Sequence, residues 1–384
     1  MPQVTFDGKP VAPEEDKAPE IDVLTYLKYW NLKEDPTKGR DFVHTDLVNL
    51  ILERVDAGRS VRLLGDAGIG KSATTREVKA LLEDRVREKY VVTTVPLNSL
   101  VDPNNRFITK GGLTAIGLYV LDEFELYFEK HGRDEVLLSK VAEHTKALRS
   151  TSESIDAPVR TYHLTRLFEK AKDAEYKFVI VLDDADALQN FDSFDNLNKI
   201  IDSIHSAILC YKQAEERASK QRATMREDNE IGDEQKARKQ RLDAFLRRSS
   251  SIPILGQPAK VVQQIVHGKL SKRADIFSDD ALAYGLMAAY SSRAPPANSL
   301  GAYIAGLRPE QPLYNPGKIA TYLVLALEEG CRRQVKQIGP DIAELAYRRT
   351  VANLDVHGII DVPSLDEHLQ EFRLAKAELA KEKS

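Results

Sequence analysis

The spacing of apolar positions changes along this chain, and the changes predict its elements. In 44–57 (HTDLVNLILERVDA), Leu47, Leu50, Ile51, Arg54 and Val55 recur at helical spacing, and Gly58 stands where a helix would stop. Val61-Arg62-Leu63-Leu64 is a short, mostly apolar run that leads straight into a glycine-rich loop, and 71–89 reads as a helix. Tyr90 to Leu97 (YVVTTVPL) is rich in β-branched residues and predicts a second strand. Helix-like stretches at 111–131, 137–149 and 161–174 lead to a third strand at Lys177 to Leu182 (KFVIVL). Ser251 to Leu255 (SIPIL) is a fourth strand candidate. Alternating strands and helices predict an α/β fold with a central, largely parallel sheet.

Other stretches carry different patterns. Residues 1–20 are polar and Pro-bearing and read as a flexible arm, and a helical stretch starts near Ile21. Residues 192–247 read as mostly helical. Their second half is densely charged, as two solvated arms broken near Asn229-Glu230-Ile231-Gly232 would be. From about 276 the pattern is helical, interrupted by a Pro/Gly-rich span at 294–317, and 373–384 reads as a fraying helix. No internal repeat is evident.

Composition narrows the classes. The 384 residues suit one large or two modest domains, with 42% apolar content to bury a core. Although 30% of residues are charged, the formal net is only −4, so any contact with a phosphate backbone must come from a local patch. Cys210 and Cys331 lie far apart, which fits a reducing compartment, and the eight histidines lack metal-ligand spacing. The N-terminal segment does not read as a signal peptide. No run approaches the ~18 apolar residues of a membrane span. A cytoplasmic protein with no membrane contact is the expectation.

The chemistry starts in the loop. Gly65-Asp66-Ala67-Gly68-Ile69-Gly70-Lys71-Ser72, followed by Ala73, has the spacing G-x-x-x-x-G-K-S between a strand and a helix. Glycines let backbone amides approach a polyphosphate, and the following helix directs its N-terminal amides at the same anion. Lys71 supplies a cation for the β and γ phosphates of ATP, and the Ser72 hydroxyl is the expected Mg²⁺ ligand. VIVLDDADAL ends a strand on Asp183 and Asp184. Asp183 is the natural carboxylate for the same Mg²⁺, and Asp184 stands where many ATPases carry a glutamate that polarises the attacking water. Aspartate is one methylene shorter, so either the geometry adapts or hydrolysis is slow. Asp186 is expected to cap the next helix or bind a neighbouring backbone group.

Four segments together resemble AAA+ ATPases, in particular the branch of ExeA-type secretion ATPases and TniB/TnsC-type transposition regulators. They are YLKYWNLKEDP leading into HTDLVNLILERVDAGRSVRLLGDAGIGKS, then VIVLDDADAL, then PILGQPAKVVQQIVHGKLSKRADI, and last NPGKIATYLVLALEEG with IGPDIAEL. The second also resembles the metal-binding strand of origin-recognition initiators. The resemblance implies an AAA+ P-loop domain over 21–275 with a long charged helical insertion at about 192–247, a helical lid at 276–347 and a tail at 348–384. It implies a γ-phosphate sensor at Gln257, an arginine finger at Arg273 reaching a neighbouring subunit's ATP, and a second sensor at Lys318 beside the nucleotide. Thr37 in place of Phe, Asp184 in place of Glu and Lys318 in place of Arg depart from the family pattern. A competing alignment makes Ile252 to Leu255 the connector into the lid and displaces Gln257 and Arg273 from those roles. Arg273 also reads as a solvated surface charge and Gln257 as a turn residue. Tyr26, Tyr29 and Trp30 read either as an adenine-side wall or as a packed helix face.

The function implied is an ATPase that assembles on itself with ATP, as a ring or filament, and acts on double-stranded DNA. Transposition target selection or activation of a transposase is the role expected from the branch. Lys236, Arg238, Lys239, Arg241, Arg247 and Arg248 form the densest basic cluster, with Glu234 and Asp243 interleaved, so a phosphate contact and a solvated arm are both open readings. Two further readings stand beside it: an ATP-gated adaptor for a protein client that makes no DNA contact, and a replication-initiator-like ATPase.

Overall fold

The structure is a computed structural model that describes residues 22–33, 35–36, 45–100, 112–150, 157–190, 194–212, 240, 244, 246–270, 273–293, 311–352 and 363–382. The arm at 1–20 and almost all of the charged half of the insertion lie outside the described residues, among them Lys236, Arg238, Lys239 and Arg241.

Two compact units divide the chain, one from Asp41–Gly256 with Arg293–Gln311, the other from Met1–Arg40, Gln257–Ser292 and Pro312–Ser384. The first is built on a five-stranded sheet. Its strands are β1 (Val61–Leu64), β2 (Tyr90–Pro96), β3 (Lys177–Asp183), β4 (Ser206–Tyr211) and β5 (Ser250–Pro253), in the order β2-β3-β4-β1-β5. All four pairings are parallel. Helices α2 (Thr45–Asp56), α3 (Lys71–Glu83), α4 (Gly112–His131), α5 (Glu135–Arg149), α6 (Ala157–Asp173) and α7 (Phe194–Ser203) complete the unit. The α/β architecture with a central parallel sheet expected from the sequence is present, with a largely helical second unit.

Strand alternation assigns the two faces. Phe178, Ile180 and Leu182 of β3, with Leu209 and Tyr211 of β4, enter the core built by α4 to α7. Val179, Val181, Ile208 and Cys210 enter the opposite core, with Leu47, Ile51 and Val55 of α2 and Val78 and Leu82 of α3. Burial on both faces is why these parallel strands read as continuous apolar runs.

Three expectations are corrected here. Residues 206–211 (SAILCY) are a wholly buried strand rather than part of a helical insertion. A short run that is apolar throughout has no period to separate strand from buried helix. In consequence the SIPIL strand is the fifth, lying beyond β1 and away from β3. The C-terminal tail is not fraying through its described length. α12 (Leu365–Glu382) buries Phe372 and Ala375, Gln263 Nε2 donates to the Phe372 carbonyl at 2.6 Å, and Lys376 pairs with Asp279 at 2.8 Å.

The second unit also contains α1 (Val23–Trp30), α8 (Ala259–Lys269), α9 (Asp279–Ala289), α10 (Pro316–Arg332) and α11 (Pro340–Ala352). β6 (Tyr290–Arg293) and β7 (Pro312–Tyr314) form a two-stranded sheet that the sequence reading did not anticipate. α10 starts where NPGK predicts. Asn315 caps it by accepting from Gly317 N at 2.9 Å and Lys318 N at 3.3 Å, with Pro316 at the first helical position. α1 packs its Tyr26 and Trp30 inward, and Trp30 Nε1 donates to the Leu327 carbonyl at 2.9 Å. Gly330 lies under that indole, where an added Cβ would stand 2.8 Å from Trp30 Cζ2. Between the two readings of these aromatics, the packed helix face is the arrangement seen for Tyr26 and Trp30.

Candidate nucleotide site

The loop runs from the end of β1 to the start of α3. Leu64 is in register with Tyr211 of β4 and Pro253 of β5, and Gly65 N donates to the Tyr211 carbonyl at 3.2 Å. Gly65 has no room for a side chain, because a Cβ would stand 2.8 Å from Ile69 Cγ2 and 3.1 Å from the Ile254 carbonyl. Gly68 and Gly70 have φ of +76° and +104°, conformations open to glycine at little cost. Gly70 takes the N-cap position of α3, which aims the helix's first amides at the loop.

Lys71 is the first residue of that helix and is buried, with 9% exposure. Its Nζ donates to the carbonyls of Gly65 at 2.6 Å and Asp66 at 2.9 Å. Burial lowers the pKa of the ammonium from its ordinary value, and the nearby carboxylates of Asp186, Asp183 and Asp66 oppose the shift. The lysine is therefore held inside the glycine loop, within electrostatic reach of carboxylates at the end of β3.

Those carboxylates come from the end of β3. Asp183 is its last residue, in register with Pro96 of β2, and one strand (β4) separates it from β1. A ligand crevice at the C-terminal ends of parallel strands is the usual binding place in open α/β sheets. Asp183 Oδ1 accepts from Asp184 N at 3.1 Å. Asp184 has a φ of +52°, and its carboxyl is pushed up by burial and by the charge of Asp183, against Lys212, Lys71 and a hydrogen bond with Asn98. Asp186 binds a neighbouring backbone group, one of the two roles expected of it. Both of its oxygens accept from Lys212 N at 3.1 Å, which ties the tip of β4 to the segment after β3.

Sequence reasoning missed Asn98, Cys210 and Lys212 as members of this cluster. Cys210 is fully buried on β4, and burial followed by the charge of Asp183 pushes its thiol up. Cys210 lies on β4 and Lys212 just after it, in a stretch whose sequence pattern reads as helix and so gives them no place at the end of a strand. Asn98 lies just beyond β2, in the short helix Leu97–Leu100. The signal that could have found Cys210 and Lys212 was the mostly apolar run SAILCY followed at once by polar residues.

The loop residues Gly65, Asp66, Ala67, Gly68, Ile69, Gly70, Lys71, Ser72 and Ala73 share one unit with Asp183 and Asp184. The donor set fits a Mg²⁺-polyphosphate group: a glycine cradle that a Cβ at Gly65 would fill, a buried ammonium, the hydroxyl of Ser72 and the carboxylate of Asp183. The remaining candidates belong to the other unit. Gln257 has 9% exposure and exchanges backbone hydrogen bonds with Tyr314 at 2.7 and 2.8 Å. It follows β5, which pairs with β1. Arg273 is half exposed, and its Nε bonds Asp275 Oδ1 at 3.1 Å. Lys318 is in the first turn of α10.

No protein-family model matches this chain, and no curated protein sequence matches it. Among solved structures it is similar to the ORC2 protein of Aeropyrum pernix in its ADPNP–ADP complexes, with 10% identity, 86% of this chain and 74% of that one covered, and a TM-score of 0.48. The Aeropyrum pernix ORC1 protein in complex with DNA aligns at 14% identity, 86% and 73% coverage and a TM-score of 0.46. Drosophila ORC bound to DNA aligns at 11% identity, 97% and 84% coverage and a TM-score of 0.41. The sheet order and the glycine loop between β1 and α3 themselves show a parallel α/β sheet with a loop of phosphate-binding form at its C-terminal end. Among the described residues, no helix is long and apolar enough to cross a membrane.

Proposed function

We propose that this chain is an ATP-binding and ATP-hydrolysing AAA+ regulator that assembles on itself with ATP and acts on double-stranded DNA, in transposition target selection or transposase activation. One observation carries the nucleotide part. A strand, a glycine loop and a helix hold Lys71 against the loop, with Asp183 and Asp184 on the strand one place removed.

In this reading the loop amides and the start of α3 bind the ATP phosphates, and Lys71 spreads its charge over the β and γ groups. Ser72 and Asp183 would hold Mg²⁺, which when bound neutralises charge on the polyphosphate. Asp184 orients the attacking water and accepts its proton. Arg273 of a neighbouring copy, Gln257 and Lys318 complete the proposal as finger and sensors, each supplying a donor or cation for charge on the transferred phosphoryl group. The self-assembly, the DNA, the client transposase and the cytoplasmic setting rest on the resemblance of the four sequence segments.

The test is duplex DNA binding with Mg-ATP, ADP or no nucleotide, at two salt concentrations, with negative-stain imaging of each sample and Lys71→Ala as control. ATP-dependent, salt-sensitive binding with rings or filaments, lost in Lys71→Ala, is the expected result. ATP binding and hydrolysis with no effect of DNA would overturn the DNA part and favour an adaptor for a protein client.

A further inference from the structure

Three arginines in the helical unit converge on one carboxylate. The Glu329 side chain has 7% exposure and accepts from Arg332 Nη1, from Arg333 Nε at 2.8 Å and from Arg349 Nη1 at 3.3 Å. Arg332 ends α10, Arg333 is its C-cap residue and Arg349 is in the last turn of α11. The helix C-termini and Glu329 offset part of the positive charge, but one carboxylate cannot neutralise three guanidinium groups. Residues 329–349 contain five Lys and Arg against three Asp and Glu. Of the other two acids, Glu344 is engaged by Arg348 at 2.5 Å, and Asp341 lies in the first turn of α11. Glu328 acts on Tyr26 of α1.

The three side chains keep 27%, 47% and 37% exposure, so Arg333 and Arg349 are the more open of the three, while the Arg332 Nε is buried. An anchored guanidinium has already lost much of its rotamer freedom, and its planar fork matches phosphate oxygens. Tyr29 donates to the Val335 carbonyl at 2.8 Å, which ties the turn after α10 to α1 and fixes the frame of the cluster. We propose that Arg332, Arg333 and Arg349 form a contact site for the phosphate backbone of double-stranded DNA. The inference rests on the DNA reading above and supplies it with a site outside the charged insertion.

The experiment is fluorescence anisotropy with a random-sequence duplex and Mg-ATP, from about 50 to 200 mM KCl, on the wild type, Arg333→Gln and the double variant Arg333→Gln/Arg349→Gln. Each lost phosphate contact makes the slope of log K against log salt shallower by about 0.9, so the double variant is expected to lose nearly 2 and the single variant about 1. Basal ATP hydrolysis should be unchanged in both. Arg166→Ala, which removes an exposed arginine of the other unit bonded to Glu169, should leave the slope unaltered. Arg333→Gln keeps the test valid if the double variant fails to fold. Wild-type slopes in folded variants would overturn the site and leave the DNA reading intact. Binding indifferent to nucleotide, but with the slope loss, would support the site while overturning ATP control. A wild type that binds no duplex under any nucleotide would overturn both.

Discussion

The two ends of the central sheet handle charge in opposite ways. At the starts of the strands, Asp56 accepts from Arg85 Nη1 through both oxygens at 2.9 Å and from the Tyr90 hydroxyl at 2.8 Å. Lys177 lies 3.6 Å from Glu88 and 4.7 Å from the centre of the Tyr90 ring. There each charge meets its opposite or a π-face. At the strand ends, the Lys71 ammonium bonds two neutral carbonyls, and Asp183 and Asp184 press like charges together. Neutralised charge supports the sheet, whereas the other end keeps a polarised cluster, which in the proposed function a polyphosphate completes. Stability and chemistry are thereby assigned to opposite edges of one sheet.

That separation can be broken by mutation. The largest effect is expected for Lys71→Ala, where a fluorescent ATP analogue should lose binding and hydrolysis should fall about 10²–10³-fold, the scale for removing one buried transition-state donor. Its melting temperature should stay within a few degrees of wild type. A large drop would mean that this end also supports the fold.

Gly65→Ala should affect both properties. Its Cβ meets Ile69 and the Ile254 carbonyl, so overpacking is expected to cost about 1–3 kcal/mol in denaturant titration, together with weaker nucleotide binding. Asp56→Ala should cost about 1 kcal/mol, because the Arg85 pair is partly exposed and only the Tyr90 bond is well covered. Its ATP affinity should equal that of wild type, and a changed affinity would refute the division of labour.

Two pH effects sharpen the contrast at the starts of the strands. Burial raises the Asp56 carboxyl, but the bonds from Arg85 and Tyr90 outweigh it and hold the group below its ordinary range. A depressed native pKa stabilises the fold above the unfolded pKa, and that contribution is lost as pH falls through the native value. The melting gap between wild type and Asp56→Asn should therefore close as pH is lowered from about 5 to 3. His205 shows the smallest effect. Burial and then Lys177 lower its pKa, against a hydrogen bond with the Val55 backbone and the charge of Asp56. The unfolded chain takes up that proton first, so stability declines as pH falls below about 6.5. His205→Gln should flatten the melting curve between pH 7.5 and 5.5 relative to wild type.

Much of the nucleotide end was legible because its requirements are local. Gly68 and Gly70 mark positive φ, Lys71 and Ser72 start a helix, and Asp183 ends a run of β-branched and apolar residues, each signalled by its immediate neighbours in the chain. Asn315 and Pro316 announced α10 in the same way, through capping chemistry.

What only the tertiary structure decided was neighbourhood. SAILCY is buried at every position, and burial on both faces erased the alternation that would have marked it as β4. The side of β1 on which residues 250–253 pair is set by hydrogen bonds between segments nearly 190 residues apart, for which no local residue type provides a signal. Glu329 and Arg349 show the same division. By itself the sequence determined a glycine loop, the helix that follows it and the carboxylates at the end of β3. Folding decided which distant charges face one another, because those contacts depend on burial and strand order and not on spacing along the chain.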